Sequence, residues 1–273
     1  MDNYQLSVVI PTYKPQCYIF ECIDSLQKQT LTKKLFEVII VLNGDKEPFY
    51  TDIEKYIKEY NNFKIIHTAT AGVSKARNIG IETAKGSHIV FIDDDDFIAE
   101  TFLEEMYCCI TKNPLDLVVS NFLRYYGENK IENDYMTNSY EELKNNVITF
   151  SLVKNRKILS SSCGKAIPKE VIGDCRFNES VKISEDALFM FEISKNIKGI
   201  SFLPLEVAYY RRIREMSVSR KKASVSDRFK ILVQNINNFS KVYFRNSSQY
   251  SLSLYINRIM AITKHFLISL KNS

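Results

Sequence analysis

Over its first 123 residues the chain alternates five times between short apolar runs and amphipathic stretches, and no other feature limits the fold so sharply. Leu6-Ser7-Val8-Val9-Ile10 is apolar but for Ser7, rich in β-branched side chains and halted by Pro11, the signature of a buried strand. Ile19, Phe20, Ile23 and Leu26 then recur at helical spacing and predict a helix over 16–29. Phe36 to Leu42, Phe63 to Ile66, His88 to Ile92 and Leu117 to Leu123 read as further strands. Residues 48–60, 73–84 and 101–111 read as the intervening helices, with Gly86 as the C-cap of the 73–84 helix. Strands that are apolar at every position are covered on both faces, so a mostly parallel sheet between two layers of helices is expected. Such sheets bind ligands at the carboxyl ends of their strands. The residues following Ile10, Leu42, Ile66 and Ile92 are therefore the first place to look for chemistry.

The alternation ends near residue 124. Residues 127–139 are polar and turn-rich, 140–155 read as helical, and 160–220 mix short strands with one helix over 186–195. Two more helical patterns cover 226–243 and 251–270. The expected division is a catalytic domain over 1–220, in halves 1–123 and 124–220, followed by a basic helical extension over 221–273.

Charge separates the same regions. The net charge of +5 combines an acidic body with a basic end: residues 211–273 hold 13 Lys+Arg against only Glu215 and Asp227. Leu252, Ile256, Ile259, Met260, Phe266, Leu267 and Leu270 share one helical face, and Arg258, Lys264 and Lys271 lie away from its centre. Two readings are open: a helix packed on the catalytic domain with a solvated basic back, or a helix lying on an anionic membrane surface. No nucleic-acid-binding signature accompanies the charge. The N-terminus has no basic leader and no apolar run reaches spanning length, so a cytoplasmic protein is expected. The six cysteines form no CxxC or zinc spacing and are expected to be reduced thiols packed as small hydrophobes. His67, His88 and His265 are too scattered for a ligand set.

Asp93-Asp94-Asp95-Asp96 follows Ile92 directly. Adjacent carboxylates repel, and a hard divalent cation is a natural neutraliser; the alternative is a solvated acidic turn ahead of the next helix. The other strand ends hold Pro11-Thr12-Tyr13, Asn43-Gly44-Asp45, and Lys75, Arg77 and Asn78 at the start of a helix. There is no GxGxxG or GxxxxGK[ST] loop, so a phosphate is not held in a Rossmann or P-loop cradle.

These segments resemble those of the family 2 glycosyltransferases, inverting nucleotide-sugar enzymes of GT-A fold. Ser7-Val8-Val9-Ile10-Pro11-Thr12-Tyr13 is similar to the family's opening strand, Ala71-Gly72-Val73-Ser74-Lys75-Ala76-Arg77-Asn78-Ile79-Gly80 to its G-x-S-x-A-R-N-x-G segment, and Phe91-Ile92-Asp93-Asp94-Asp95-Asp96 to its DxD segment. Ser184-Glu185-Asp186 resembles its E-D motif, Tyr209-Tyr210-Arg211-Arg212 its Y-x-R segment, and Cys163-Gly164-Lys165 a segment where relatives keep a lysine near the site. The resemblance implies a nucleotide-sugar-binding half over 1–123, an acceptor-binding half over 124–220, and a UDP-sugar donor. It implies Asp93 and Asp95 as ligands of Mn²⁺ or Mg²⁺, and Asp186 as the base, with Glu185 orienting it or the acceptor. Donor contacts implied are Pro11, Thr12, Tyr13, Asn43, Asp45, Lys75, Arg77, Asn78, Asp93, Asp94, Lys165, Arg211 and Arg214. One departure stands out: the family's two acids before the second-strand glycine are Leu42-Asn43 here, with an acid only at Asp45. The acceptor implied is a glycan or lipid-linked glycan of a bacterial surface polysaccharide such as capsule or O-antigen. The rival readings are a sugar-phosphate nucleotidyltransferase and a non-catalytic nucleotide-sugar-binding partner.

Overall fold

The computed structural model describes residues 4–128, 130–137, 140, 153, 156–214 and 224–271. The apolar runs become β1 (Leu6–Thr12), β2 (Phe36–Asn43), β3 (Phe63–Thr68) and β4 (His88–Phe91), with α1 (Tyr18–Gln27), α2 (Phe49–Ile57) and α3 (Val73–Thr83) between them. There follow β5 (Phe97–Ile98), α4 (Phe102–Lys112), β6 (Leu117–Val119), β7 (Asn121–Tyr125), β8 (Ile131–Asn133), β9 (Lys165–Pro168), α5 (Lys169–Ile172), α6 (Glu185–Ile193), β10 (Ile200–Phe202) and β11 (Ala208–Arg212). The helices α7 (Val225–Arg245) and α8 (Leu252–Lys271) close the chain.

The main sheet runs β10-β6-β9-β4-β1-β2-β3. Its strands share one direction except β9, which is antiparallel to both β4 and β6. β1 and β2 are buried along their whole length, as their nearly continuous apolar runs require, and their buried Ser7 and Glu37 are bonded to each other at 2.7 Å. A second sheet, β5-β11-β7-β8, stands beside the first. Since β5 immediately follows the four aspartates and β11 leads into Arg211–Arg214, pairing of β5 with β11 brings the acidic and basic runs together.

Four expectations need correction. Leu117 to Leu123 is two strands in different sheets, because the chain turns out at Ser120, whose N–H and hydroxyl both donate to the Gly164 carbonyl, at 3.1 and 2.8 Å. Gly86 does not cap α3: that helix ends at Ala84 in an extended conformation, and Gly86 is needed instead for close approach. A Cβ there would lie 2.7 Å from the Leu6 carbonyl carbon. The thiols of Cys17 and Cys108 are exposed rather than packed; Cys22, Cys163 and Cys175 are buried and all six are free. Arg258 is buried, because its guanidinium donates to the Leu159 carbonyl at 2.6 Å and the Ser160 hydroxyl at 2.9 Å. The helix expected over 140–155 lies almost entirely outside the described residues.

The C-terminal hairpin α7–α8 packs on the helix that carries the E-D pair. Phe191 of α6 meets Phe239 edge-on and stacks on Tyr250, and Phe239, Tyr243, Tyr250 and Leu254 belong to the same buried cluster as β1–β4. Leu252, Ile256, Met260, Leu267 and Leu270 of the expected apolar face remain exposed, because α8 turns Leu254 and Arg258 to the body instead.

Candidate active site

The aspartate run turns tightly after β4, with the Asp96 N–H donating to the Asp93 carbonyl. Its carboxylates diverge to separate partners. Asp93 accepts from Arg77 at 2.9 Å, and Asp94 accepts from the Thr12 hydroxyl at 2.5 Å. Asp95 pairs with Arg214. Buried Asp96 accepts from the Tyr209 hydroxyl at 2.7 Å and the Arg212 N–H at 2.8 Å. Burial, with repulsion from neighbouring aspartates, raises the Asp94 carboxyl to about 7 despite the Thr12 hydrogen bond. The same two causes push Asp95 up and Asp96 well up. A carboxylate cluster short of positive charge is what a divalent cation relieves. Among the described residues no three His, Cys, Asp or Glu side chains gather around one point. Two carboxylates, with water and substrate phosphate completing the shell, suit Mg²⁺ or Mn²⁺, and Asp93 is 42% exposed to admit them.

At the far strand ends Tyr13 is 52% exposed and its ring covers Gly44, where a Cβ would lie 2.7 Å from the ring edge. Lys14 pairs with Asp45 at 3.1 Å. The Asn43 amide is used internally: it donates to the Thr12 carbonyl at 2.7 Å and accepts from the Gly72 N–H at 2.8 Å, tying β1, β2 and the entry to α3 together. Pro11 is buried within β1, opposite Val41.

Arg77 and Asn78 are placed differently from the donor contacts implied by resemblance. Arg77 is 3% exposed, and its guanidinium meets Asp93, Asp186 at 2.6 Å and Glu185 at 3.4 Å. Asn78 bonds both backbone groups of Phe177, and Lys75 reaches Glu179 at 3.6 Å. Glu185 and Asp186 open α6 after Ser184, which has a left-handed backbone (φ 69°) and whose side chain makes no cap. The Asp186 carboxylate also accepts from the Ser162 hydroxyl at 2.9 Å and N–H at 3.3 Å. Burial, then Asp186, raises the Glu185 carboxyl, with Arg77 opposing.

Lys165 is fully buried beneath the site, bonded to the Cys163 carbonyl at 3.1 Å with its ammonium 5.2 Å from the Phe122 ring centre. Its burial explains why it does not open toward a donor. Arg211 and Arg214 do not act together: Arg211 pairs with buried Asp134 at 3.0 Å beside Phe122, whereas Arg214 faces Asp95. Arg212, which sequence reasoning passed over, shares the aspartate side: its Nε donates to the Asp95 carbonyl at 3.0 Å, and it reaches Glu21 and the Tyr18 ring. Alternation of side chains along β11 was the available signal, since neighbours on a strand face opposite ways. Ser162 was also missed, since a lone hydroxyl carries no motif, and Tyr209 was seen only as part of the Y-x-R segment, not as a partner of Asp96.

With this geometry, comparison with known proteins is decisive. The family model "Glycosyl transferase family 2" matches residues 7–174. The chain belongs to glycosyl transferase family 2. It is 29% identical over 218 residues to the minor teichoic acid biosynthesis protein GgaB of Bacillus subtilis, covering 78% of this chain and 23% of that protein. It is 29% identical over 214 residues to the poly(ribitol-phosphate) beta-N-acetylglucosaminyltransferase TarS of Staphylococcus aureus, covering 77% of this chain and 36% of TarS. The chain thus spans well under half the length of these two relatives. The crystal structure of TarS 1–349 with UDP-GlcNAc superposes with a TM-score of 0.73 at 24% identity, over 98% of this chain and 74% of that one. The mannosyltransferase PcManGT of Pyrobaculum calidifontis, solved with GDP-Man and Mn²⁺, gives 0.64 at 14% identity, over 99% and 75%. Both share the fold, the mostly parallel α/β architecture of GT-A enzymes.

The buried lysine has a measurable signature. Burial lowers its ammonium from 10.5 to about 7. Between those values the unfolded chain holds the proton and the folded chain does not, so Lys165 makes stability rise with pH there; below about 7 its whole penalty is present. Lys165→Met should therefore be more stable than the parent at pH 6, on the order of 3 kcal/mol, with a gain that shrinks toward pH 10. Urea unfolding across that range checks it; a gain that does not vary with pH contradicts it.

Proposed function

We propose that this family 2 domain transfers a sugar from a UDP-sugar to a hydroxyl of a surface-polymer acceptor, with inversion at the anomeric carbon. The observation that carries the reading is the meeting of Asp186 and Asp93 on one guanidinium, at 2.6 and 2.9 Å, which sets the proposed base beside the proposed metal ligand. Tyr13 and Asp45 form the nucleoside end, with the exposed Tyr13 ring as an apolar face for uracil, and buried Pro11, Thr12 and Asn43 support it from beneath. Lys75 and Arg214 are the cations assigned to the diphosphate in this reading. Asp93 and Asp95 would hold a divalent ion, which when bound would supply positive charge to the leaving group. Asp186 takes the proton from the acceptor hydroxyl as its oxygen bonds to the anomeric carbon; the bond from that carbon to the phosphate oxygen breaks, and UDP leaves with the electron pair. Hydrogen bonds from Arg77 and Ser162 hold the Asp186 carboxylate in place until then. GgaB and TarS are named for teichoic acid and poly(ribitol-phosphate), so a wall polymer stands beside capsule and O-antigen as acceptor. Family membership favours this reading over nucleotidyl transfer, and the paired acids favour it over a non-catalytic partner.

Two variants separate the roles. Asp186→Asn should abolish transfer with UDP affinity unchanged, whereas Asp95→Ala should lose the Mn²⁺-dependent part of UDP affinity by calorimetry. Full transfer by the first removes Asp186 as base, and unchanged Mn²⁺ dependence in the second removes Asp95 as a ligand.

We also infer that the α7–α8 hairpin rests on an anionic membrane at the cytoplasmic face. Exposed Phe229, Val233, Ile256, Met260 and Leu267 accompany exposed Lys230, Lys241, Arg245, Lys264 and Lys271, with Asp227 the lone acid of the two helices. No helix among the described residues is long and apolar enough to cross a membrane, so contact is lateral. The protein should sediment with phosphatidylglycerol vesicles and not with phosphatidylcholine vesicles. Absence from both pellets overturns the inference.

A further inference from the structure

The A-R-N-x-G segment entered as a source of cations for a donor phosphate. Its geometry gives it another task. Gly80 lets α3 lie against β1, since a Cβ there would sit 2.2 Å from a Val9 methyl. That contact fixes the axial position of Arg77 and Asn78 at the carboxyl edge of the sheet. The Asn78 side chain then accepts from the Phe177 N–H at 2.8 Å and donates to the Phe177 carbonyl at 2.9 Å. So held, the Phe177 ring is the floor beneath the Arg77 guanidinium, 5.3 Å from its centre, and stacks at 3.9 Å on Phe189 of α6. The guanidinium is thus located by the same aromatic pair that locates the helix bearing Asp186.

From that floor Arg77 reaches across the cleft. One terminal nitrogen meets Asp93 at the end of β4, and the other meets Glu185 and Asp186 at the start of α6. At 3% exposure it offers almost no surface to a nucleotide. Without it three carboxylates would face one another in a largely buried space.

We propose that Arg77 is a positioning residue: seated by Asn78 and Phe177, it binds the metal-side carboxylate Asp93 to the base Asp186 and holds that base oriented toward the acceptor hydroxyl. This rests on the reading of Asp186 as the base. The charged and titratable groups around Asp186 are Arg77, Glu185 on its own helix, Asp93 across the guanidinium, and Cys163 and Lys165 from the β9 side. Among the described cations Arg77 alone touches the carboxylate, so its loss frees the base from its one charged anchor and lets it turn from the acceptor hydroxyl.

The test is steady-state transfer by Arg77→Gln, Arg77→Lys and Asp186→Asn, with UDP affinity and melting temperature measured for each. In Arg77→Gln kcat should fall at least about tenfold while donor KM stays within about threefold. Arg77→Lys should recover kcat only partly, because one ammonium cannot span three carboxylates. A raised donor KM with kcat unchanged makes Arg77 a donor contact and overturns the inference, as do kinetics identical to the parent's. If Arg77→Gln has no melting transition, Arg77→Lys decides by the same split: full parental kcat overturns it. A fully active Asp186→Asn protein shows instead that the base reading has failed; an inactive one beside parental Arg77→Gln kinetics shows that the base stands and the strut does not.

Discussion

The compensation of crowded carboxylates at the carboxyl end of β4 is the constraint on which the rest depends. Asp93 to Asp96 leave that strand together, and α6 delivers Glu185 and Asp186 to the same place. Such a cluster folds only if cations and hydrogen-bond donors are brought to it from elsewhere in the chain. Arg77 arrives from α3, Arg212 and Arg214 from the end of β11, Thr12 from β1, Ser162 from the segment before β9, and Tyr209 from within the second sheet. Elements distant in sequence are thereby bound to one locus. The compensation is incomplete at Asp94, Asp95 and Asp96, whose carboxyls remain raised. That residual deficit of positive charge is what the proposed divalent ion would relieve.

The second sheet follows from the same demand. β5 has two residues and little strength of its own, yet its pairing with β11 carries the arginines to the aspartates. The C-terminal hairpin contributes from behind, through Phe239 and Tyr250 against Phe191, by supporting the helix that carries Glu185 and Asp186. An exposed apolar and basic surface on its outer side leaves that support compatible with docking on a membrane.

The first four strands and the helices between them were legible because strands of a covered sheet, β1, β2 and β4 above all, are written as nearly continuous apolar runs. The motif segments holding Asp93 and Glu185-Asp186, far apart in the chain, meet on the Arg77 guanidinium, whereas Asp95 turns to Arg214. Orientation was far less legible. Arg211 and Arg212 are adjacent and chemically identical, but the pleat of β11 sends one to Asp134 and the other to the aspartate run. Arg77 and Lys75 share a motif, yet helical rotation buries one and exposes the other. Ser120 breaks an apolar run between two sheets for want of a nearby signal beyond its own hydroxyl. On α8 the apolar stripe was read correctly from spacing, but the face turned to the body was decided by Leu254 and by backbone acceptors for Arg258, which no hydropathy pattern records.

The central claim is that one carboxylate, Asp186, deprotonates the acceptor on the face of the sugar opposite the diphosphate. Proton NMR of the anomeric signal in the first turnovers tests it most directly. The account predicts that an α-linked UDP-sugar gives a β-linked product, read from the larger coupling of its anomeric proton in a gluco-configured sugar; a product that keeps the donor's α configuration would contradict it.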